Sequence, residues 1–229
     1  ARRWASLSSI EPTRFNSELE LITRAYTTSL GKIENRPVAA RLNQIRTNEI
    51  SLAFPWQLRE FNIGVDGMPR PATTKKTPQD VFASPGNATL VRYLQQFASQ
   101  ITPQGTHNVP DKFDNKVFQA GKTEAATPSF VWNPGAPIAE NTRRAFSLNT
   151  CNGCHAGETG TIFKHVDVRR SGSESQLSGF LKGIQLTPIQ GAPLAEYADL
   201  ERRRQDLAVL ISPAAGAFEA KRAPLRATH

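Results

Sequence analysis

The sequence predicts a mainly α-helical protein with a small β element, an α+β fold in which a helical C-terminal unit follows a long N-terminal region. Several stretches carry apolar residues three and four positions apart, which predicts amphipathic helices, and one aromatic stretch predicts a strand. Hydrophobic residues make up only 38% of the 229 residues, and 16 residues are prolines. We therefore expect residues 1–135 to form a loop-rich wrapper on a helical unit at 136–212, with a weakly ordered tail at 213–229.

The N-terminal region begins with a predicted helix. Apolar residues recur at spacings of three and four from Phe15 onwards. Asn16 or Ser17 can cap the start of this helix, and Gly31 can end it.

Two strands are predicted next. Residues 54–63 are rich in aromatic and apolar side chains, and the turn-forming residues 65–67 follow them. Residues 70–77 can return as a partner strand, which their prolines restrict to a sheet edge. Residues 40–52 fit either a helix or a strand.

A second helix is predicted to begin at Asn87 or Thr89, and a third at Asn141 or Thr142. Between them, residues 101–136 show little periodicity, and a loop of that length inside a domain is usually functional or packed on something. The apolar side chains that could pack it on the C-terminal unit are Phe113, Val117, Phe118, Phe130, Val131 and Trp132.

The C-terminal region contains two further predicted helices. Residues 177–184 predict a short helix, and residues 194–211 have the clearest helical period in the chain. The predicted apolar face of the longer helix consists of Tyr197, Leu200, Leu207 and Leu210.

The strongest chemical signal is the run Cys151-Asn152-Gly153-Cys154-His155, which contains the only two cysteines of the chain. C-x-x-C-H is the attachment pattern of a c-type haem: two thiols add to the haem vinyl groups and the adjacent imidazole binds the iron. The motif therefore predicts one covalently bound haem c, held by Cys151 and Cys154, with His155 as the proximal iron ligand. This haem would make the helical unit cytochrome c-like.

The same residues also fit three alternative roles. A thioredoxin-like redox pair expects a βαβ context and gives no reason for His155. A structural zinc site needs four ligands, which Cys151, Cys154, His155 and His165 could supply. A simple disulfide would close a very small loop and stabilise the chain little.

The second axial ligand of the iron has four candidates. No methionine follows the motif, which excludes the ligand arrangement of small class I cytochromes c. His165 follows His155 by ten residues, and a chain of that length can reach around the edge of a haem. We expect His165 to be the distal ligand, ahead of His107, Met68 and the last residue, His229.

The basic charge of the chain fits nucleic acid, an anionic surface or an acidic redox partner, although most of the basic residues are dispersed, as on a solvated face. Of the three partners we expect the acidic redox protein. The formal net charge is +8, which speeds encounter with an acidic protein, and no recognised nucleic-acid-binding motif accompanies the basic residues. No apolar run approaches the ~18 residues of a membrane span. Because haem is attached to thiols outside the bacterial cytoplasm, we expect an exported protein, periplasmic or extracellular. From the start Ala-Arg-Arg-Trp, without Met, we expect that a signal peptide has been removed or that the chain was cut from a longer precursor.

Five runs of sequence, the first of which contains the motif, show a wider similarity. They are RAFSLNTCNGCH at 144–155, followed by Glu158-Thr159 and Phe163-Lys164-His165, then LNQIRTNEI at 42–50 and LSGFL at 177–181. In these runs the chain resembles a little-characterised group of exported bacterial proteins whose C-terminal region carries a single C-x-x-C-H motif. More widely, the motif resembles that of the c-type cytochromes, which implies the same haem-binding roles for Cys151, Cys154 and His155. The chain differs from the small soluble cytochromes in its length, its predicted strands and its lack of a downstream methionine.

Three functions are compatible with such a haem. The first is the transfer of single electrons to or from a protein partner or within a redox complex. The second is a haem enzyme of peroxidase or oxygenase type with an open distal site, in which His165 with Arg169 or Arg170 would assist. The third is a structural subunit whose haem completes the core. We expect electron transfer.

Overall fold

The computed structural model describes residues 2–27, 42, 44–49, 56–64, 66–72, 74, 76–103, 107–120, 123–125, 129–135, 137–170 and 172–211. These residues form a mixed α and β structure. The chain divides into two compact units, one made of Ala1–Thr47 and Glu60–Ala72 and the other of Asn48–Arg59 and Thr73–His229. The predicted boundary after residue 135 lies inside the second unit, and the predicted wrapper remains a prediction. Within the described ranges, every helix is too short or too polar to serve as a membrane span.

Two helices open the first unit. They are α1 at Arg2–Ser6 and, after a short 3-10 turn at Leu7–Ser9, α2 at Pro12–Thr27. α2 confirms the predicted N-terminal helix but begins ahead of Phe15, because proline suits a first turn whose N–H groups have no helical partner. Ile22 is buried on this helix, whereas Leu21 is exposed. The predicted end at Gly31 lies outside the described residues.

Three strands follow: β1 at Gln44–Glu49, β2 at Trp56–Ile63 and β3 at Pro69–Ala72. β2 lies between the other two and confirms the predicted strand at 54–63, and β1 shows that residues 44–49 of the segment at 40–52 form a strand. β2 and β3 are antiparallel, with Glu60 opposite Ala72. β3 therefore confirms the predicted partner strand at the sheet edge, although it ends at Ala72.

In the second unit, a 3-10 turn at Asp80–Ala83 precedes α3 at Ala88–Gln96. The side chain of Asn87 caps α3, because it accepts hydrogen bonds from the backbone N–H groups of Thr89 and Leu90 at 3.0 and 3.2 Å. These bonds confirm the predicted helix and one of its two predicted caps.

The segment that the sequence predicts as a long loop contains short strands. They are β4 at Lys112–Phe113, β5 at Lys116–Val117 and β6 at Thr123–Ala125. Asp114 and Asn115 join β4 to the antiparallel β5 with φ of 51° and 58°, the left-handed backbone of a tight hairpin turn. β6 pairs with the first residues of β2. Strands of two or three residues are too short to show an alternating pattern, which is why the sequence did not predict them.

The C-terminal part contains α4 at Glu140–Leu148, α5 at Cys151–Cys154, a 3-10 turn at Gly157–Thr159, α6 at Gly179–Lys182, β7 at Ile184–Leu186, β8 at Ala195–Tyr197 and α7 at Asp199–Ile211. α4, α6 and α7 confirm predicted helices with different bounds. The helix predicted at 194–211 begins only at Asp199, because β8 pairs with β7 instead. Leu200 is 44% exposed, so its predicted place on an apolar face is wrong. The side chains of Leu207 and Leu210 lie outside the described part of the chain.

Two apolar clusters form the core of the second unit. The larger surrounds Tyr93 and includes Phe118 and Trp132 from the predicted loop, whereas Val117 of that loop is 58% exposed. The smaller cluster contains Cys154, Phe180, Leu181, Ala195 and Tyr197. On α4, Phe146 joins the larger cluster and Leu148 packs on the smaller one. The helix that leads into the cysteines is therefore fixed by both clusters.

Candidate functional site

The cysteine motif forms a capped helical turn. Thr150 is the N-cap of α5, and its hydroxyl accepts a hydrogen bond from the backbone N–H of Gly153 at 3.1 Å. The same hydroxyl accepts the indole N–H of Trp132 at 2.8 Å and donates to the carbonyl of Ser147 at 2.8 Å. Because three partners fix this hydroxyl, the turn that carries both thiols is held firmly at its first residue.

Glycine is required at position 153. A Cβ atom there would lie 2.2 Å from the carbonyl oxygen of Ser147 and 2.4 Å from its hydroxyl. The middle of the cysteine turn therefore packs directly on the end of α4, at a distance that no larger residue permits.

The two cysteines are buried thiols. Cys151 is 3% exposed, Cys154 is 2% exposed, and no disulfide joins them. The backbone N–H of Cys151 donates to the hydroxyl of Thr77 at 3.1 Å. Residues three apart in a helical turn share one side of it, so the thiols lie on the same face. Helix α4, not a strand, leads into the motif, which does not match the context of a thioredoxin-like pair.

His155 follows the turn and is oriented by a backbone carbonyl. Its Nδ1–H donates to the carbonyl oxygen of Phe163 at 2.5 Å, and the two rings are 5.5 Å apart between centroids. Phe163 has φ of 59°, a left-handed backbone that is rare for a bulky side chain. Because a carbonyl can only accept, the proton is fixed on Nδ1, and Nε2 is the nitrogen whose lone pair can bind a metal.

The structure brings His165 beside Cys154 and His155. Its Nε2 is 3.7 Å from the Cys154 Sγ, and its ring centroid is 4.5 Å from that of His155. Its Nδ1 is 2.9 Å from the hydroxyl of Ser178, which also caps α6. Burial, and then the charge of His155, lower the pKa of His165 to about 4. The ring is therefore neutral near pH 7.

Two imidazoles that bind one iron from opposite sides of a haem are farther apart than these two rings. A metal–imidazole bond of about 2 Å on each side separates the ring centroids by about 6 Å, whereas those of His155 and His165 are 4.5 Å apart. Distal coordination by His165 therefore requires its segment to move outward, and this role remains a prediction.

The other predicted iron ligands have different surroundings. His107 is buried in contact with the larger cluster, where its Nε2 is 2.5 Å from the Tyr93 hydroxyl and its Nδ1 has no hydrogen-bond partner. Burial and the charge of Lys76 lower the pKa of His107 to about 4. Met68 is 61% exposed in the first unit. His229 lies outside the described residues.

A buried ion-pair network supports the segment after the motif. Arg143 of α4 donates to Glu158 at 2.5 and 3.0 Å and to Glu140 at 2.7 Å, and the Tyr197 hydroxyl donates to Glu158 at 3.0 Å. Glu158 is 0% exposed and Arg143 is 3% exposed. Burial alone would lower the pKa of Arg143, but its hydrogen bonds to Glu140 and Glu158 raise it. The network therefore joins α4, the 3-10 turn and β8.

Several residues that shape the site are absent from the sequence prediction: Thr150, the Phe163 carbonyl, Ser178, and the Arg143–Glu158 pair. Thr150 carries a usable signal, because threonine directly before a helical turn is a typical N-cap. Ser178 carries the same signal before α6. The Phe163 carbonyl and the Arg143–Glu158 pair could not be predicted, because neither corresponds to a local sequence pattern.

The donor set of this site fits a covalently attached haem. Two thiols share one face of a turn, and the adjacent imidazole has its proton fixed on Nδ1, as thioether attachment and one axial bond require. In the part of the chain that the structure describes, no group of three or more histidine, cysteine, aspartate or glutamate side chains could hold a metal ion. The four-ligand zinc arrangement is thus not formed there.

Comparison with known proteins adds one partial similarity. No protein-family model matches the chain. Over 86 residues, or 38% of the chain, it is 36% identical to an alanine–tRNA ligase of Granulibacter bethesdensis, and the match covers 9% of that enzyme. The chain thus spans less than a tenth of the length of this relative. No solved structure matches it.

Proposed function

We propose that this chain is an exported mono-haem c-type protein that carries single electrons to or from a protein partner, alone or as a subunit of a redox complex. The observation that carries the proposal is the hydrogen bond from His155 Nδ1–H to the Phe163 carbonyl, beside two thiols in one capped turn. This bond prepares Nε2 for iron, which a purely structural histidine after two cysteines would not require.

Each residue of the site has a defined part in the proposal. Cys151 and Cys154 attach the haem through thioethers, and His155 binds iron through Nε2. His165 remains the proposed distal ligand, because it is neutral near pH 7 and its segment follows the motif closely enough to reach the iron once it moves away from His155. The haem supplies a one-electron couple between ferric and ferrous iron. The protein holds the donors and keeps water from the buried thiols.

The charge around His165 supports an acidic partner. Residues 164–182 contain four lysine or arginine residues and two acidic residues. Arg169, Arg170 and Lys182 are exposed there. By contrast, the arginines at 202–204 of α7 each form an ion pair within that helix. We therefore place the docking surface at residues 164–182, where it would steer an acidic protein toward the site.

The enzyme alternative gains little from the geometry. A peroxidase-type site needs a cationic group directed at the distal side, and Arg169 and Arg170 are the predicted sources. Both are exposed, and Arg169 donates to the backbone carbonyl of Ser173 in its own turn. Electron transfer needs no such group. The structural-subunit alternative differs from electron transfer only in redox behaviour. Reversible reduction of the haem iron is expected for electron transfer and not for a structural subunit.

The similarity to alanine–tRNA ligase does not carry that activity to this chain. A stretch of 86 residues is the size of one small domain. The match covers 9% of that enzyme, so we do not transfer the activity of the whole enzyme to this chain. We propose no nucleic-acid partner.

The experiment that tests this function is spectroscopy of the full chain, exported from a bacterial host that matures c-type haem. We expect a low-spin, six-coordinate spectrum that cyanide does not change, and reversible one-electron reduction. Electron exchange with an acidic redox protein should slow as ionic strength rises. A high-spin iron that binds cyanide would favour the enzyme alternative, and a haem that cannot be reduced reversibly would favour the structural one.

The distal ligand is tested with matched variants of the same protein. His165→Ala should convert the iron to high spin, whereas Met68→Leu, at an exposed position, should leave the spectrum unchanged. A low-spin spectrum that persists in His165→Ala would remove His165 from the iron.

A further inference from the structure

A pocket of about 370 Å³ lies in the second unit. Leu148, Phe180 and Tyr197 form its apolar wall. The same three side chains pack with Cys154, and Phe180 also contacts the His165 ring at 4.9 Å. The pocket thus shares a wall with the candidate site without including the motif itself.

Arg144 of α4 lines this pocket with part of its guanidinium unsatisfied. One terminal nitrogen donates to the Pro193 carbonyl at 3.0 Å and weakly to Glu140 at 3.4 Å. Its Nε is buried and has no hydrogen-bond partner. Glu140 is already engaged by Arg143, with both carboxylate oxygens at 2.7 Å from it. This Nε is closed to the pocket, whereas the other terminal nitrogen, Nη1, donates to no described residue. A quarter of the Arg144 side chain is exposed, so an anion in the pocket can accept a charge-assisted hydrogen bond from Nη1.

The second cation that lines the pocket, Arg202, is already paired with carboxylates. Arg202 donates to Asp199 at 2.9 Å and to Asp206 at 2.6 Å, so two carboxylates neutralise it. Asp199 is in turn bound by Arg203. The remaining charged group of the lining is Glu196, which is exposed and opposes an anion. Arg144 is therefore the group that recognises a ligand, and Glu196 is the group that weakens its binding.

We propose that this pocket binds a carboxylate carried on an apolar body, with the carboxylate on Arg144 and the body against Leu148, Phe180 and Tyr197. A charge-assisted hydrogen bond from the guanidinium favours a carboxylate over a neutral group, and the apolar wall selects against small hydrophilic anions. The carboxylate has two possible sources, a side chain of the haem itself or a free aromatic or aliphatic acid. The first source rests on the proposed function, and the second does not.

The test titrates 2-naphthoate, and neutral 2-naphthamide as its control, into the full chain produced without haem maturation. Naphthoate should bind, and Arg144→Gln should weaken it about tenfold or more, as for a lost charge-assisted hydrogen bond. Glu196→Gln, a substitution at an exposed position, should strengthen it. Arg204→Gln, an arginine of α7 outside the pocket, should leave the affinity unchanged. No binding of naphthoate, equal binding of the amide, or equal affinity in Arg144→Gln and Glu196→Gln would overturn the proposal.

The same titration on haem-loaded chain identifies the source. If loading abolishes naphthoate binding in the parent chain and Arg144→Gln shifts the midpoint potential, the carboxylate belongs to the haem. If binding survives loading, the pocket takes a free acid. A chain that acquires no haem contradicts the proposed function but leaves the first titration fully decisive for the pocket.

Discussion

Gly153 sets how closely the cysteine turn can approach α4. The nearest obstacle to a side chain at this position is a backbone oxygen, that of Ser147, which no rotamer change can move away. The close packing of the cysteine turn on α4 therefore requires a residue without a Cβ atom at position 153. Cys151 and Cys154 flank this contact, so any shift of the turn moves both thiols.

We predict that Gly153→Ala destabilises the protein by about 3 kcal/mol, because the added methyl overpacks a buried backbone contact. Chemical denaturation measures the free energy of unfolding. Gly86→Ala is the control: its Cβ would meet nothing within 4 Å, and only its left-handed backbone opposes the change, at about 1 kcal/mol. Equal losses in the two variants would contradict the packing argument.

At this scale the spacing of Cys151, Cys154 and His155 predicts that they share one turn, and their role as haem ligands stays a prediction. The sequence predicted His165 on the opposite side of a haem from His155, whereas the structure brings the centroids of the two rings to 4.5 Å. The Phe163 carbonyl could not be predicted, because it is a backbone atom aimed by a left-handed φ that phenylalanine rarely adopts. The exposure of Met68 to solvent likewise could not be predicted from its flanking sequence.

At the scale of elements, the Arg143–Glu158 pair holds the surroundings of His155 together. It connects α4 before the motif to the 3-10 turn after it, and Tyr197 extends the connection to β8. Both charged groups are almost fully buried and have lost their hydration. Each therefore depends on the ion pair with the other to offset that loss.

Glu158→Gln should lower the free energy of unfolding by about 3 kcal/mol, because it leaves a buried guanidinium with half of its counter-charge. Thermal and denaturant unfolding measure the loss. The matched control is Glu201→Gln on α7, which breaks an exposed pair with Arg204 and should change stability little. A loss as small as that of the control would show that the buried pair does not hold these elements.

The length of each element decides how well the sequence predicts it. α2, α3, α4 and α7 each span at least two turns, and their apolar spacing reveals them. β4, β5, β7 and β8 have two or three residues each, too few for an alternating pattern. In residues 195–197 the apolar side chains also match the spacing of the helix that follows, which is why the sequence alone predicts a helix there.

For the whole molecule, the buried histidines make stability depend on pH. The pKa of His107 is lowered to about 4 by burial and by Lys76, against 6.5 for an unfolded histidine. Between these values the unfolded chain binds a proton that the folded chain does not, so stability falls as pH decreases from 6.5 to 4. Above pH 6.5 the contribution is complete.

We predict that His107→Asn flattens this decline, because asparagine does not titrate. Urea midpoints measured at intervals between pH 7 and pH 4 check the slope for both proteins. His165 contributes a slope of its own, so the variant should retain part of the decline. A variant whose slope equals that of the parent chain would show that His107 is not neutral in the folded protein.

The central claim is that this chain carries one haem through Cys151 and Cys154. The direct measurement is the intact mass and the pyridine haemochrome spectrum of the full chain, exported under haem maturation and then denatured. We predict the mass of the chain plus one haem, with the haem retained on denaturation, and its loss when both cysteines are replaced by alanine. A parent chain without haem, or one that releases its haem on denaturation, would contradict the claim.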